Sequence, residues 1–160
     1  MAFDIENDEK ILDILISAGW HPDREINTEL FSGYMLKLGW ILFPVCVNFM
    51  KSFGDMIIKP VNPISTFTIY TLPFLEIFKQ LPFNWSFDEE LSEMLIHPDT
   101  LLEIVRSRYY PIGYSYNDYV YIDEQGCLFK SSDGDSIYYL GKDVVSGLKF
   151  LLGLGVAICG

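Results

Sequence analysis

The chain has 160 residues, 50% of them hydrophobic and 16% aromatic, enough to bury a core without disulfides or a structural metal and too apolar to stay disordered. Its 22 acidic residues against 11 basic ones give a net charge of −11. That balance argues against neutralising nucleic-acid phosphates or docking on anionic lipid, and leaves two readings, a basic partner or a charge that keeps an aromatic-rich protein soluble.

In chain order, the apolar residues between Asn7 and Ala18 recur at helical spacing, with Asn7 or Asp8 as cap and Asp8 and Glu9 suited to the positive end of the helix dipole. Gly19 stands where a helix ends on a left-handed residue, and Pro22 blocks continuation beyond Trp20. Trp20 is expected to pack back on the last helical turn, and Arg24 to bond freed carbonyls or a carboxylate of the next helix. His21, with no Cys, Ser or second His nearby, offers no catalytic relay.

A second helix is predicted over Asn27 to Leu38, capped by Asn27 or Thr28, with Leu30, Phe31, Tyr34 and Leu38 as its buried stripe. Phe43 to Met50 reads as a third helix, opened by Pro44 and closed by Gly54, and a strand is the alternative. The period then changes to two, so Met56 to Ile58 and Thr66 to Tyr70 read as strands. Residues 71–85 read as an irregular connection with a short helix at Phe74 to Lys79. Ser86 to Glu89 fits a capping box opening an acidic helix through Leu95, and a further helix follows from Asp99 to Ser107.

Four strands come next, Tyr109 to Gly113, Tyr119 to Asp123, Cys127 to Lys130 and Ile137 to Leu140, the middle two forming a hairpin across Glu124-Gln125-Gly126. Lys142 to Leu152 closes the pattern as an amphipathic helix. With no repeat, low-complexity tract or linker, residues 1–160 read as a single α+β domain, a predominantly antiparallel sheet flanked by helices. Val144 to Cys159 is interrupted by Lys149 and shorter than the roughly 20 apolar residues of a membrane span, so it reads as a core helix with an apolar tail. Met1 to Lys10 holds four acids and one base and lacks the pattern of a secretory signal, which makes the cytosol the expected compartment.

The catalytic inventory is thin. Only His21 and His97 are present, and Cys46, Cys127 and Cys159 lack paired metal or redox spacing, so free, mostly buried thiols are expected and no metal or cofactor. The Asp88–Glu89 and Asp133–Asp135 carboxylate pairs have ordinary explanations in a helix's first turn and a solvated hairpin turn. Asp133-Gly134-Asp135 lacks the ligand run of a calcium loop, and Gly141-Lys142-Asp143 lacks the rest of a P-loop.

Two clusters remain for function. Between Asp88 and Asp143, twelve acids stand against four bases, a local balance of −8. Eight of the ten tyrosines fall within the 31 residues from Tyr109 to Tyr139. Tyrosine beside acid suits a protein-binding surface, although tyrosine is also a good strand residue and half of those on a sheet are expected to face the core. The contact candidates are Asp88, Glu89, Glu90 and Glu93 on the acidic helix, and Tyr116, Asp118, Tyr119, Tyr121, Asp133 and Asp135 on or beside the strands.

Three segments together resemble the SUKH superfamily, in particular its third immunity-protein subgroup. They are Leu15-x-x-Ala18-Gly19-Trp20-x-Pro22-x-Arg24, Phe49-x-x-Ser52-Phe53-Gly54, and Tyr110-Pro111-Ile112-Gly113 followed by Tyr121-Ile122-Asp123-x-x-Gly126 and a glycine-bearing helix. The resemblance implies an α+β domain that binds and neutralises a cognate bacterial toxin, often a nuclease, and performs no reaction. Asp55 departs from the pattern by standing where a second glycine is expected, which leaves the strand start intact. Gly19, Trp20, Pro22, Arg24, Gly54, Gly113 and Gly126 carry the resemblance and read as structural, so it assigns no contact residue. A carboxylate-based hydrolase and a cytosolic scaffold for an endogenous partner are the alternatives.

Overall fold

Helix α1, Glu9–Ser17, begins at Asp8, whose extended backbone and carboxylate, accepting the Ile11 N–H at 3.3 Å, make it the N-cap. Ile11 and Leu15, four residues apart, are its fully buried side chains. In the computed structural model, residues 3, 5, 8–37, 40–60, 66–69, 108–115, 118–131 and 137–154 are described. The helices expected at Phe74 to Lys79, Ser86 to Leu95 and Asp99 to Ser107 lie outside them, as does Cys159.

Helix α2, Glu29–Lys37, starts where the Asn27 side chain accepts the Glu29 N–H at 3.0 Å, and it buries Phe31 and Met35. Helix α3, Pro44–Phe53, settles the helix-or-strand alternative: Pro44 sits in its first turn and Gly54 ends it. Its N-terminus is closed by an unusual reciprocal pair. The Phe43 N–H donates to Cys46 Sγ at 3.2 Å, and that thiol donates back to the Phe43 carbonyl at 2.9 Å. Burial pushes the Cys46 thiol up to about 11, so it is a protonated structural group at neutral pH.

The strands are β1, Ile57–Ile58; β2, Phe67–Ile69; β3, Tyr109–Ser115; β4, Asp118–Asp123; β5, Leu128–Ser131; and β6, Tyr138–Gly141. They form one antiparallel sheet in the order β1-β2-β3-β4-β5-β6, each strand beside its neighbour in sequence. The β4–β5 hairpin is closed by Asp123, whose buried carboxylate accepts the N–H groups of Gln125 and Cys127, both at 2.9 Å, while Gly126 adopts a φ of 88°. Helix α4, Val144–Leu151, follows with Asp143 as its N-cap, and ends when Gly153, at φ 75°, donates to Phe150 and Leu154 donates to Lys149. Among the described residues no helix is long and apolar enough to cross a membrane.

The strand β3 explains the Tyr-Pro-Ile-Gly motif. The register shifts between Pro111 and Gly113, and the described residues of β2 meet β3 at Gly113 to Ser115. Proline therefore sits beside a bulge, a place in a sheet where a residue without an N–H is accommodated. Gly113 lies where β2 crosses closest, and a Cβ there would strike the Thr68 carbonyl oxygen.

Both faces of the central strands are buried. On one, Tyr110 meets the rings of Phe31 and Phe43, and Gly147 of α4 lies against Leu128 so closely that a Cβ would collide with it. On the other, Tyr109, Tyr121 and Phe129 form an aromatic cluster, and Trp40, from the α2–α3 connection, packs on Tyr109 and Tyr121 at 5.2 and 6.2 Å. The first and last helices are tied by Lys149, whose ammonium lies 2.7 Å from the Asp8 carboxylate.

Gly113→Ala is predicted to destabilise the fold by about 1–3 kcal/mol, because backbone rather than a flexible side chain must yield; urea denaturation measures it. The bond from Lys149 holds the Asp8 carboxyl below its usual value. A lowered folded pKa stabilises above the unfolded value of about 3.9 and is lost as pH falls through the folded value. Asp8→Asn, which keeps a capping oxygen, is therefore predicted to be less stable than wild type by about 0.5–1 kcal/mol at pH 7, with the gap closing as pH falls through the lowered folded value.

Candidate functional site

Gly19, with a φ of 101°, ends α1: its N–H donates to Ile16 and that of Trp20 donates to Leu15, both near 3 Å, the pair of bonds that satisfies a helix C-terminus. The expected helix stop is in place, but its two large side chains act elsewhere than expected. Trp20 stacks on Phe53 of α3 at 6.1 Å and 17°, and its indole N–H donates to Ser52 Oγ at 3.0 Å. Arg24 uses both terminal nitrogens on α3, donating to the carbonyls of Ser52 and Gly54 at 2.7 Å each. The Ile26 N–H adds a bond to Lys51 at 3.0 Å. The stretch from 19 to 26 thus clasps the end of the third helix, whose freed carbonyls need donors and whose negative dipole end favours the guanidinium.

Two positions make the approach possible. Gly54 has no room for a side chain, since a Cβ would meet the Met50 carbonyl and Ile26. Asp55 adopts a φ of 59°, so the turn is left-handed even without a second glycine, in a conformation that Asp tolerates better than most residues. Burial lowers the Arg24 pKa, and the charge of Asp55 opposes that shift.

The clasp stands beside a groove of about 360 Å³. Phe3, Trp20 and Pro22 give it an apolar wall. Asn48, Lys51 and Ser52, spaced to share one side of α3, supply the opposite polar wall. Asp23, Arg24 and Glu25 complete it. The Lys51–Glu25 ion pair is loose, 3.6 Å across, with side chains 44% and 71% exposed.

Of the contact candidates, Asp88, Glu89, Glu90, Glu93, Tyr116, Asp133 and Asp135 lie outside the described residues. Tyr121 is fully buried beneath Trp40 and against Phe129, so it offers no surface to a partner; alternation along β4 exposes nothing where both faces are packed. Asp118 and Tyr119 are half-buried at the start of β4. Asp118 pairs with Lys130 at 3.4 Å, and Lys130 also lies 6.0 Å from the ring centre of Tyr138. Among the described residues, Tyr138 and Tyr139, 57% and 39% exposed, are the tyrosines that reach solvent most, a result of their place on the last strand of the sheet.

The described acids of the region are employed within the fold. Asp123 holds the hairpin turn, Glu124 accepts the Arg108 N–H at 2.9 Å, Asp143 caps α4 at 2.8 Å, and Asp118 has Lys130. Cys46 is buried and Cys127 half-buried, and both are free thiols. Among the described residues no group of three or more His, Cys, Asp or Glu side chains is placed to hold a metal ion.

The architecture is an α+β fold in which the residues most distinctive in sequence hold helices together. The chain belongs to the SUKH-3 immunity protein family, whose model matches residues 7–153. Neither a curated protein nor a solved structure matches the chain. Membership supports an immunity function, and proteins of this family are not typically enzymes.

Trp20→Ala is predicted to cost on the order of 3 kcal/mol in thermal or urea unfolding, and Trp20→Phe, which keeps a ring but loses the bond to Ser52, about 1 kcal/mol. Equal losses in the two variants would assign the whole effect to the hydrogen bond and contradict the packing role.

Proposed function

We propose that this chain is a cytoplasmic, single-domain immunity protein that binds a cognate bacterial toxin domain, a nuclease with a basic substrate groove, and neutralises it by covering that groove. The observation that carries the proposal is the regional charge of −8 between Asp88 and Asp143 in a member of an immunity family. A nuclease presents positive charge to its substrate, so an acidic face speeds encounter and occupies the surface that nucleic acid needs. The acids of this stretch that cap turns and helices are bound within the fold, which directs the contact to Asp88, Glu89, Glu90 and Glu93 and to Asp133 and Asp135. Tyr116, Tyr119 and the rim around Asp118 extend it, and Tyr121 does not belong to it.

The test is protection of cells expressing the toxin encoded beside this gene. Reversing Asp88, Glu89, Glu90 and Glu93 to lysine is expected to reduce protection and to slow association at least tenfold, with wild-type association itself slowing as salt rises, since charges beyond about 8 Å are screened at physiological ionic strength. The control reverses Asp4, Glu6, Glu9 and Asp13, because Asp8 caps α1 and holds Lys149. Equal protection and equal association rates for both variants would reduce the acidic stretch to a solubility device.

A further inference from the structure

The groove beside the clasp has features that the clasp itself does not require. Trp20 and Arg24 hold α3 through Phe53, Ser52 and the Gly54 carbonyl, yet the loop that bears them leaves about 360 Å³ open against α3. Its charges are unevenly satisfied. Arg24 is committed to two carbonyls, with Asp55 acting on its charge. Lys51 and Glu25 make only a loose, exposed contact, and exposed Asp23 has no ion-pair partner among the described residues. A cation entering along the apolar wall meets one free carboxylate and a second that is weakly held.

We infer that this groove receives one basic side chain, lysine or arginine, from the toxin, with its alkyl stem on Phe3, Trp20 and Pro22 and its charged head on Asp23 and Glu25. The inference rests on the immunity reading and gives the protein a second point of contact besides the acidic stretch from Asp88. The position is suited to specificity: a single long side chain in a shaped slot discriminates between toxins more sharply than general charge attraction.

The experiment uses the full-length chain in two arms. In the first, the indole N–H resonance of Trp20 is followed by NMR during titration with Nα-acetyl-arginine amide, Nα-acetyl-lysine amide and Nα-acetyl-glutamate amide. The basic amides are expected to shift it saturably and the acidic one to leave it in place, with affinity falling at least tenfold in Asp23→Lys/Glu25→Lys. These side chains are exposed at the rim, so the variant is expected to keep the wild-type unfolding midpoint. In the second, the same variant is expected to bind the toxin encoded beside the gene at least tenfold more weakly. No shift with the basic amides, an equal shift with the acidic one, or unchanged toxin affinity in the double variant overturns the groove assignment. Failure of the wild-type chain to protect cells at all overturns the immunity reading instead, and with it the identity of the groove's occupant, while the amide titration still reports whether the groove takes a basic side chain.

Discussion

The fork of Arg24 onto the carbonyls of Ser52 and Gly54 is the interaction on which the arrangement of the N-terminal half depends. A helix C-terminus leaves carbonyls without partners, and α3 ends in the interior beside buried Phe53 and Gly54, where those groups need donors from the protein. The loop after α1 supplies them. That loop reaches α3 because Gly19 reverses the chain, and it approaches closely because Gly54 has no side chain and Asp55 accepts a left-handed backbone. With α3 fixed, Phe43 meets Tyr110 on the sheet and the connection before it brings Trp40 against Tyr109 and Tyr121. One guanidinium thus links the loop after α1 to the packing of the central strands.

The same economy bears on how the protein meets its partner. A net charge of −11 suggests a diffuse acidic surface, but the described acids between Arg108 and Asp143 cap a helix, hold a turn, accept a backbone N–H or pair with lysine. Charge committed in this way contributes less to attraction than the count implies. On the proposed reading, attraction of a basic partner would draw on a subset of the acids.

Much of the fold was legible because its signals are local. Capping residues, Pro44 at a helix start, the glycines at 19, 54 and 126 and the alternation in the strands identify three helices and two strands between Asn7 and Ile69 and four strands and a helix after Arg108, and the structure places helices and strands there. What sequence reading missed was long-range. It kept Trp20 on its own helix and gave Arg24 to α1 or α2, because capping rules speak only of neighbours in sequence. The signal was nevertheless present: the Phe49-x-x-Ser52-Phe53-Gly54 segment of the same resemblance is the surface that the clasp grips. Tyr121 was misjudged for a related reason, since alternation predicts one wet face, whereas here Trp40 reaches the face that Tyr121 occupies.

The most direct test of the clasp as the anchor is native-state hydrogen exchange of two amides, Ile26, which donates to Lys51, and Tyr121, in the centre of β4. If the clasp belongs to the cooperative core, both exchange only through global unfolding in the wild-type protein, and in Arg24→Met the Ile26 amide falls to the faster regime of local opening while Tyr121 continues to follow the global transition. An Ile26 amide that already exchanges orders of magnitude faster than Tyr121 in the wild-type protein would contradict this account and make the clasp a local appendage of the fold.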